Sequence, residues 1–241
     1  MSSYTFGDTE LARERLGIVA DAFAAPTRRL LADLPPGPHR YVLDLGCGPG
    51  YTTALLHDVA PDGFVTGIDA SAAMIADARE RVPAAQFFVA DVTAPLRLPA
   101  HVVYARLLLG HLPDPAGALA NWSRALLPGG VLVCDEPTRY RSDIDVLDRY
   151  EDAVTAVVAA EGAHLRAAER VLDFEPEACT RAIDRVIEHP VPAAQAAAMF
   201  WRNAVTWNGD DALVDELREL EAGDAAEIVV WELRQTVWIK T

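Results

Sequence analysis

Apolar residues recur along this chain in two periods, and the switches between them mark its elements. From Asp8 to Leu34, Leu11, Leu16, Ile18, Val19, Phe23, Leu30 and Leu31 fall at near-helical spacing. That spacing predicts helix. Pro26 predicts a break into two helices, because proline lacks the amide an inner turn needs. Pro35-Pro36-Gly37-Pro38 ends the segment as a stiff linker. Beyond it, short apolar runs alternate with amphipathic stretches. Tyr41–Leu45, Phe64–Ile68, Gln86–Ala90, Val102–Arg106 and Val131–Asp135 read as strands. Tyr51–Val59, Ser71–Arg81 and Pro115–Leu127 read as helices, with Ser71 placed as an N-cap. The strands are nearly continuous in apolar residues, which predicts a parallel sheet covered by helices on both faces.

The last third changes character. Asp143–Leu172 is largely helical and acidic, and Cys179–Glu188 alternates like a strand. Ala193–Asn208 and Asp210–Glu221 read as helices. Ala226–Lys240 reads as a long strand with Val230, Glu232, Arg234 and Thr236 on one face. No convincing linker follows Pro38. The expectation is one domain: an N-terminal helical cover (1–38), a core (39–136), a helical insert with one strand and a substrate cover (137–225), and a closing strand (226–241).

Charge narrows the function classes. Thirty-six acidic residues against 21 basic ones leave a net charge of −15. Nucleic-acid binding needs a basic face, and the arginines here are scattered. No apolar stretch reaches membrane-span length, and Met1–Leu11 lacks the apolar core of a signal peptide. Cys47, Cys134 and Cys179 are widely spaced and form no metal-ligand cluster. A cytoplasmic protein with reduced thiols, no bound metal and a small-molecule substrate is expected, as a monomer or homodimer.

The chemistry concentrates in Asp44-Leu45-Gly46-Cys47-Gly48-Pro49-Gly50, where the first strand meets a helix. That edge is where doubly wound sheets bind ligands. Glycines there let backbone approach a ligand closely, and the helix N-terminus offers free N–H groups. The spacing is G-x-G-x-G, and Tyr51 stands where a dinucleotide fold would place its third glycine. Asp44 would repel a pyrophosphate and attract a cationic amino group. A nicotinamide-dependent oxidoreductase is thereby disfavoured, and no Gly-Lys-Ser/Thr follows to make a phosphate loop. Asp69 ends the second strand, where a carboxylate can accept both hydroxyls of a ribose. Asp91 ends the third and could accept from an adenine amine.

These stretches resemble the class I S-adenosylmethionine-dependent methyltransferases, in particular the small-molecule group. The likeness runs from Tyr41 to Glu136 and includes Gly67-Ile68-Asp69-Ala70-Ser71, Ala90-Asp91-Val92, Tyr104-Ala105-Arg106-Leu107-Leu108-Leu109-Gly110-His111 and Leu126-Leu127-Pro128-Gly129-Gly130. The resemblance implies a Rossmann-like α/β fold with seven strands in the order 3-2-1-4-5-7-6, strand seven antiparallel. Cys179–Glu188 would be strand six and Ala226–Lys240 strand seven. It implies that S-adenosylmethionine is the cofactor. The backbone of Gly46, Cys47, Gly48 and Gly50, with Asp44, would hold its methionine part. Asp69 would hold the ribose, Ala70, Met74, Asp91 and Val92 the adenine, and Arg106 would approach the methionine end. One departure is His101, where such enzymes commonly carry Asp.

Methyl transfer from a sulfonium is an in-line displacement that asks the protein mainly for alignment. A base is needed only if the acceptor must lose a proton. His111 follows the fourth strand and is the best candidate, although it could equally shape the turn before Pro113. Asp135 and Glu136 end the fifth strand and could accept a proton or orient His111. Phe200, Trp201, Arg202, Asn203 and Trp207 form a candidate substrate cover, or else core. Tyr4 could close the pocket from the N-terminus. The expected activity is methylation of O, N or C of a specialised metabolite. The alternative is a non-catalytic cofactor-binding subunit of a heteromer.

Overall fold

The computed structural model describes residues 9–171, 173–223 and 226–241. It opens with helix α1 (Glu10–Ala32) and continues with β1 (Tyr41–Leu45), α2 (Tyr51–Val59), β2 (Phe64–Asp69), α3 (Ala72–Arg81), β3 (Gln86–Val89) and β4 (Ala100–Arg106). A 3-10 turn at Leu109–His111 leads to α4 (Pro115–Arg124) and β5 (Leu126–Arg141). Next come α5 (Asp145–Ala160), α6 (Ala167–Val171), β6 (Cys179–Pro192), α7 (Ala193–Thr206), α8 (Asp211–Ala222) and β7 (Ile228–Lys240). Among the described residues no helix is long and apolar enough to cross a membrane.

The seven strands form one sheet in the order β3-β2-β1-β4-β5-β7-β6. The pairs from β3 to β5 are parallel, and β7 runs antiparallel to both β5 and β6. This is the expected Rossmann-like order. Alternate residues of each inner strand serve opposite layers, as a two-period requires. Val42, Val102, Tyr104, Val131 and Val133 pack with Leu30 and Leu31 of α1 and Leu56 of α2. Their neighbours Leu43, Leu45, Val103, Ala105, Leu132 and Cys134 pack with Leu119 and Trp122 of α4. A third cluster joins α1 to the last helices around Phe23, Leu147, Tyr150, Phe200 and Leu217.

β6 runs on to Pro192 and α4 stops at Arg124, and two further elements depart from the sequence expectation with a cause in the sheet. First, α1 passes through Pro26 unbroken. A proline leaves the carbonyl four residues back without its helical donor. That carbonyl is Ala22 O, and His189 Nε2 on β6 lies 2.7 Å from it and donates to it. The carbonyl of Pro26 itself accepts from Gln235 Nε2. The sheet thus meets the hydrogen-bonding need that would otherwise end the helix. Second, β5 runs from Leu126 to Arg141, well past Asp135. Its extension pairs with β7 out to Arg141 opposite Val230. The register shifts between Pro137 and Arg139, which accommodates a residue with no N–H to give.

Replacing His189 with Ala is expected to cost about 1–2 kcal/mol, the value of a buried hydrogen bond to a carbonyl left unmet. In a Pro26→Ala background, where residue 26 regains an N–H for Ala22 O, that cost should fall towards zero. Urea unfolding of the single and double variants measures the coupling, and equal costs in both backgrounds would reject it.

Candidate active site

The glycine loop leaves β1 and folds back over the end of β2. The amides of Gly46 and Cys47 both donate to Ile68 O, at 2.8 and 3.1 Å. Gly46 and Gly50 adopt φ of +65° and +84°. A Cβ on Gly46 would stand 2.8 Å from a Leu108 methyl, and one on Gly50 would stand 3.1 Å from the Ala78 backbone. Side chains at these two positions would collide with Leu108 and α3, so glycine lets the loop pack closely against both. Gly50 caps α2 and offers no side-chain hydrogen bond to its first amides, the groups that a helix N-terminus presents to a ligand.

Acids ring this cradle. Asp44 is buried and accepts from Thr53 Oγ1 at 2.6 Å. Burial raises its carboxyl to about 7, against the Thr53 hydrogen bond and the nearby Arg106 guanidinium, which both favour the charge. Asp69 accepts from Gly48 N at 2.9 Å and Ser71 N at 2.8 Å, so it also holds the loop in place. Burial raises its carboxyl too, countered by those amides. A set of backbone donors between a buried carboxyl, Asp44, and a half-buried one, Asp69, fits a ligand with both an amino group and sugar hydroxyls. Ala70 is exposed beside Asp69, and Met74 is buried at the start of α3, its amide donating to the Ser71 N-cap. Asp91 is exposed and accepts from the amide and hydroxyl of Thr93. Val92 is buried, and its carbonyl accepts from Trp122 Nε1 at 2.8 Å. Sequence reading missed this anchoring by α4. Cys47 turns away from the cradle into the α3 layer with Ile75, Ala78 and Phe87. Burial pushes its thiol far up, so it contributes backbone and packing.

Arg106 does not reach freely toward a ligand. Its Nη1 donates to Thr27 Oγ1 at 3.2 Å, and that hydroxyl donates to Asp135 Oδ2 at 2.8 Å. Tyr104 and Gln235 complete the shell of Asp135. The network ties α1, β4, β5 and β7 together beneath the site.

Beyond the cradle lies a cavity of about 140 Å³, between the upper part of β5, α1, α5 and α7. The β4 exit loop is the partition. Leu108 touches the glycine loop at Gly46, while Leu107, Gly110 and His111 line the cavity. Leu107 holds a left-handed φ of 51°, uncommon for a branched side chain. Glu136 holds this loop: its carboxylate accepts from Leu108 N at 2.9 and 3.1 Å and from Leu109 N at 3.3 Å. Burial raises Glu136 to about 8 despite those amides. His111 is lowered to about 4, first by burial and then by the Arg15 charge, so its imidazole is neutral at physiological pH.

The aromatic cover is partly redistributed. Phe200 and Asn203 line the cavity, one helical turn apart on α7. Trp201 and Arg202 point elsewhere on the same helix and are corrected here as cavity residues. Trp201 lies against Arg202 and Arg218, at 4.2 and 4.7 Å from ring centre to guanidinium, and its indole N–H binds Glu221. Arg202 pairs with Glu14 of α1 and Glu221 of α8, clasping three helices. Trp207 is also outside the lining and backs Tyr150 at 5.8 Å. Tyr4 lies outside the described residues. The walls that sequence reading missed are Arg15 and Phe23 on α1, Tyr140 on β5, Tyr150 on α5 and Trp231 on β7. Helical phase could have selected 200 and 203 over 201 and 202, and strand alternation puts Trp231 opposite the Glu232 face.

Comparison with known proteins agrees with this geometry. A family profile described as a methyltransferase domain matches residues 42–130. The chain is 34% identical over 214 residues to the trans-aconitate 2-methyltransferase of Paracidovorax citrulli, covering 83% of this chain and 80% of that one. It is 41% identical over 125 residues to the trans-aconitate 2-methyltransferase of Escherichia coli O139:H28, covering 52% and 50%. In that second comparison it spans about half the relative's length. Among solved structures, a candidate methyltransferase from Bacillus halodurans C-125 superposes with a TM-score of 0.61 at 14% identity, covering 90% of this chain and 99% of that one. The geranyl diphosphate C-methyltransferase of Streptomyces coelicolor, solved with S-adenosyl-L-homocysteine, gives 0.57 at 13% identity, covering 90% and 76%. At these identities the structural likeness is one of fold.

The Glu136 carboxyl generates a pH test. It titrates near 8 in the folded protein and near its ordinary 4.5 once unfolded. The native state therefore binds the extra proton between those values, and this group's contribution to stability falls as pH rises through that window. Relative to the native protein, Glu136→Gln should gain about 2 kcal/mol or more between pH 5.5 and 8.5. Urea unfolding at the two pH values measures it, and a difference independent of pH would contradict the assignment.

Proposed function

Because the chain belongs to the class I S-adenosylmethionine-dependent methyltransferases, we propose that it forms methyl esters, alkylating a carboxylate oxygen of a small organic acid seated in the cavity. The enzyme uses S-adenosylmethionine and acts on a small molecule. The acid is the finer reading, and Arg15 carries it. Its guanidinium is buried at the wall of a cavity otherwise rich in aromatic rings, beside a neutral His111. A guanidinium on a cavity wall attracts an anion, and its planar fork matches a carboxylate. The trans-aconitate 2-methyltransferases to which the chain is similar support an acid acceptor. The aromatic walls favour an acid with an apolar body, of the kind found among specialised metabolites.

S-adenosylmethionine, when bound, supplies a methyl group on a positively charged sulfur. The chain's part is to hold and align. Asp69 and the loop amides take the sugar, and Asp44 the amino group. Arg15 orients the acid, and the rings of Phe23, Tyr140, Phe200 and Trp231 exclude water. A carboxylate is already deprotonated at neutral pH, so one O–C bond forms as one S–C bond breaks and no proton is transferred. Neither His111 nor Glu136 then needs to act as a base. His111 serves as a neutral hydrogen-bonding group, and Glu136 as a positioning residue for the β4 exit loop. The charges of sulfonium and carboxylate annihilate in the step, which a dry cavity favours.

Mass spectrometry of products from a panel of acids, phenols and amines tests this reading. Methyl esters are expected from acids, and methylation confined to phenols or amines would overturn it. Arg15→Gln should raise KM for the acid about tenfold or more while leaving the dissociation constant of S-adenosylhomocysteine near that of the native protein. Asp69→Ala should do the opposite, weakening S-adenosylhomocysteine at least about tenfold by calorimetry.

A further inference from the structure

Two residues that line the cavity each carry a buried polar atom with no hydrogen-bond partner among the described residues: Asn203 Oδ1 and Trp231 Nε1. Neither can turn easily to find one. Asn203 is only 5% exposed, and its amide is tethered by Nδ2 donating to the Tyr150 hydroxyl at 2.8 Å. The Trp231 indole is wedged edge-on against Phe23, with ring centres 5.3 Å apart, and tilted against Tyr140 at 5.1 Å. Both flank the same ring. Asn203 follows Phe200 by one turn of α7, and Trp231 meets Phe200 at 6.0 Å. Phe200 is itself stacked on Tyr150 at 4.0 Å and 7°, so this end of the cavity is rigid.

An unmet acceptor and an unmet donor, both shielded from water, are costly to a folded protein unless a ligand answers them. One functional group answers both, because a hydroxyl accepts with its oxygen and donates with its hydrogen. We propose that Asn203 and Trp231 read a hydroxyl group on the acceptor, making this cavity selective for hydroxylated aryl carboxylic acids. The hydroxyl oxygen accepts from Trp231 Nε1, and its hydrogen is donated to Asn203 Oδ1. The surrounding rings supply flat walls for an aryl body, and the carboxylate is turned to Arg15. The inference rests on the methyl-ester reading for the carboxylate but not for the hydroxyl. The hydroxyl is a recognition handle and is not itself methylated.

The test uses the full chain loaded with S-adenosylhomocysteine. Calorimetry compares benzoate and cinnamate with their ortho-, meta- and para-hydroxylated counterparts. At least one hydroxylated isomer should bind about tenfold or more tightly than its parent, since a site built to hydrogen-bond a hydroxyl rejects the analogue without it. Trp231→Phe and Asn203→Leu should each bring that ratio near one. The ratio is internal to each variant, so a general loss of affinity does not mimic the effect, and either variant alone suffices if the other fails to fold. Equal affinities within every pair in the native protein, or no binding of either member, overturn the proposal. So does a ratio that survives in both variants, or a methyl ether as product. Mass spectrometry of the same acids separates the two readings. Hydroxyl-selective binding without ester formation keeps this proposal and removes the ester reading. Ester formation without hydroxyl selectivity does the reverse.

Discussion

The backbone amides of Leu108 and Leu109 end in the Glu136 carboxylate, and both halves of the site meet at that junction. On one side Leu108 presses against the glycine loop at Gly46. On the other, Leu107, Gly110 and His111 form the cavity wall. The loop is short, takes a left-handed turn at Leu107, and leaves a parallel strand at its carboxyl edge. Without an acceptor, its amides would be buried and unmet, which the interior does not tolerate. Glu136, inside β5 and on the cavity wall, thus fixes the loop that separates the glycine loop from the cavity. Alignment of this kind is the main thing an in-line displacement asks of a protein.

The cavity exists because the sheet outgrows its own edge. β5 and β7 continue as an antiparallel pair beyond the point where the parallel strands stop. That extension carries Pro137 to Tyr140 and Trp231 up beside α5 and α7. α1 closes the other side, contributing Arg15 and Phe23. It does so as one continuous element, with His189 of β6 answering the carbonyl that Pro26 leaves open. Thr27 then sits where it can join Arg106 and Asp135. A helix that looks peripheral in the chain order is a structural partner of four strands.

Electrostatics follow from this enclosure. Asp44, Asp69 and Glu136 are raised and His111 is lowered, each with burial as the leading cause. The enclosure therefore disfavours isolated charge everywhere in the site. Such an environment suits a reaction in which a cation and an anion become neutral. It suits proton abstraction poorly, because the most basic-looking side chain, His111, is a weak base here.

Much was legible in the order of residues. Two-period runs separated by helical stretches are local patterns, and burial on both faces of a parallel sheet makes them nearly continuous in apolar residues. The glycine cradle was legible because left-handed φ and close approach leave glycine few substitutes. Asp69 and Asp91 were legible because they close or directly follow the short apolar runs of β2 and β3, whereas Asp135 and Glu136, read as strand ends, lie inside β5. The fate of Pro26, the length of β5 and the lining of the cavity were not. Each depends on a partner far along the chain: His189 for the helix, β7 for the strand, and a particular rotation of α7 for Phe200 and Asn203 over Trp201 and Arg202. Local pattern determined where the glycine loop lies and what it is made of. Only the tertiary structure decided which side chains face the cavity, because a side chain's direction is set by the surface its element packs against.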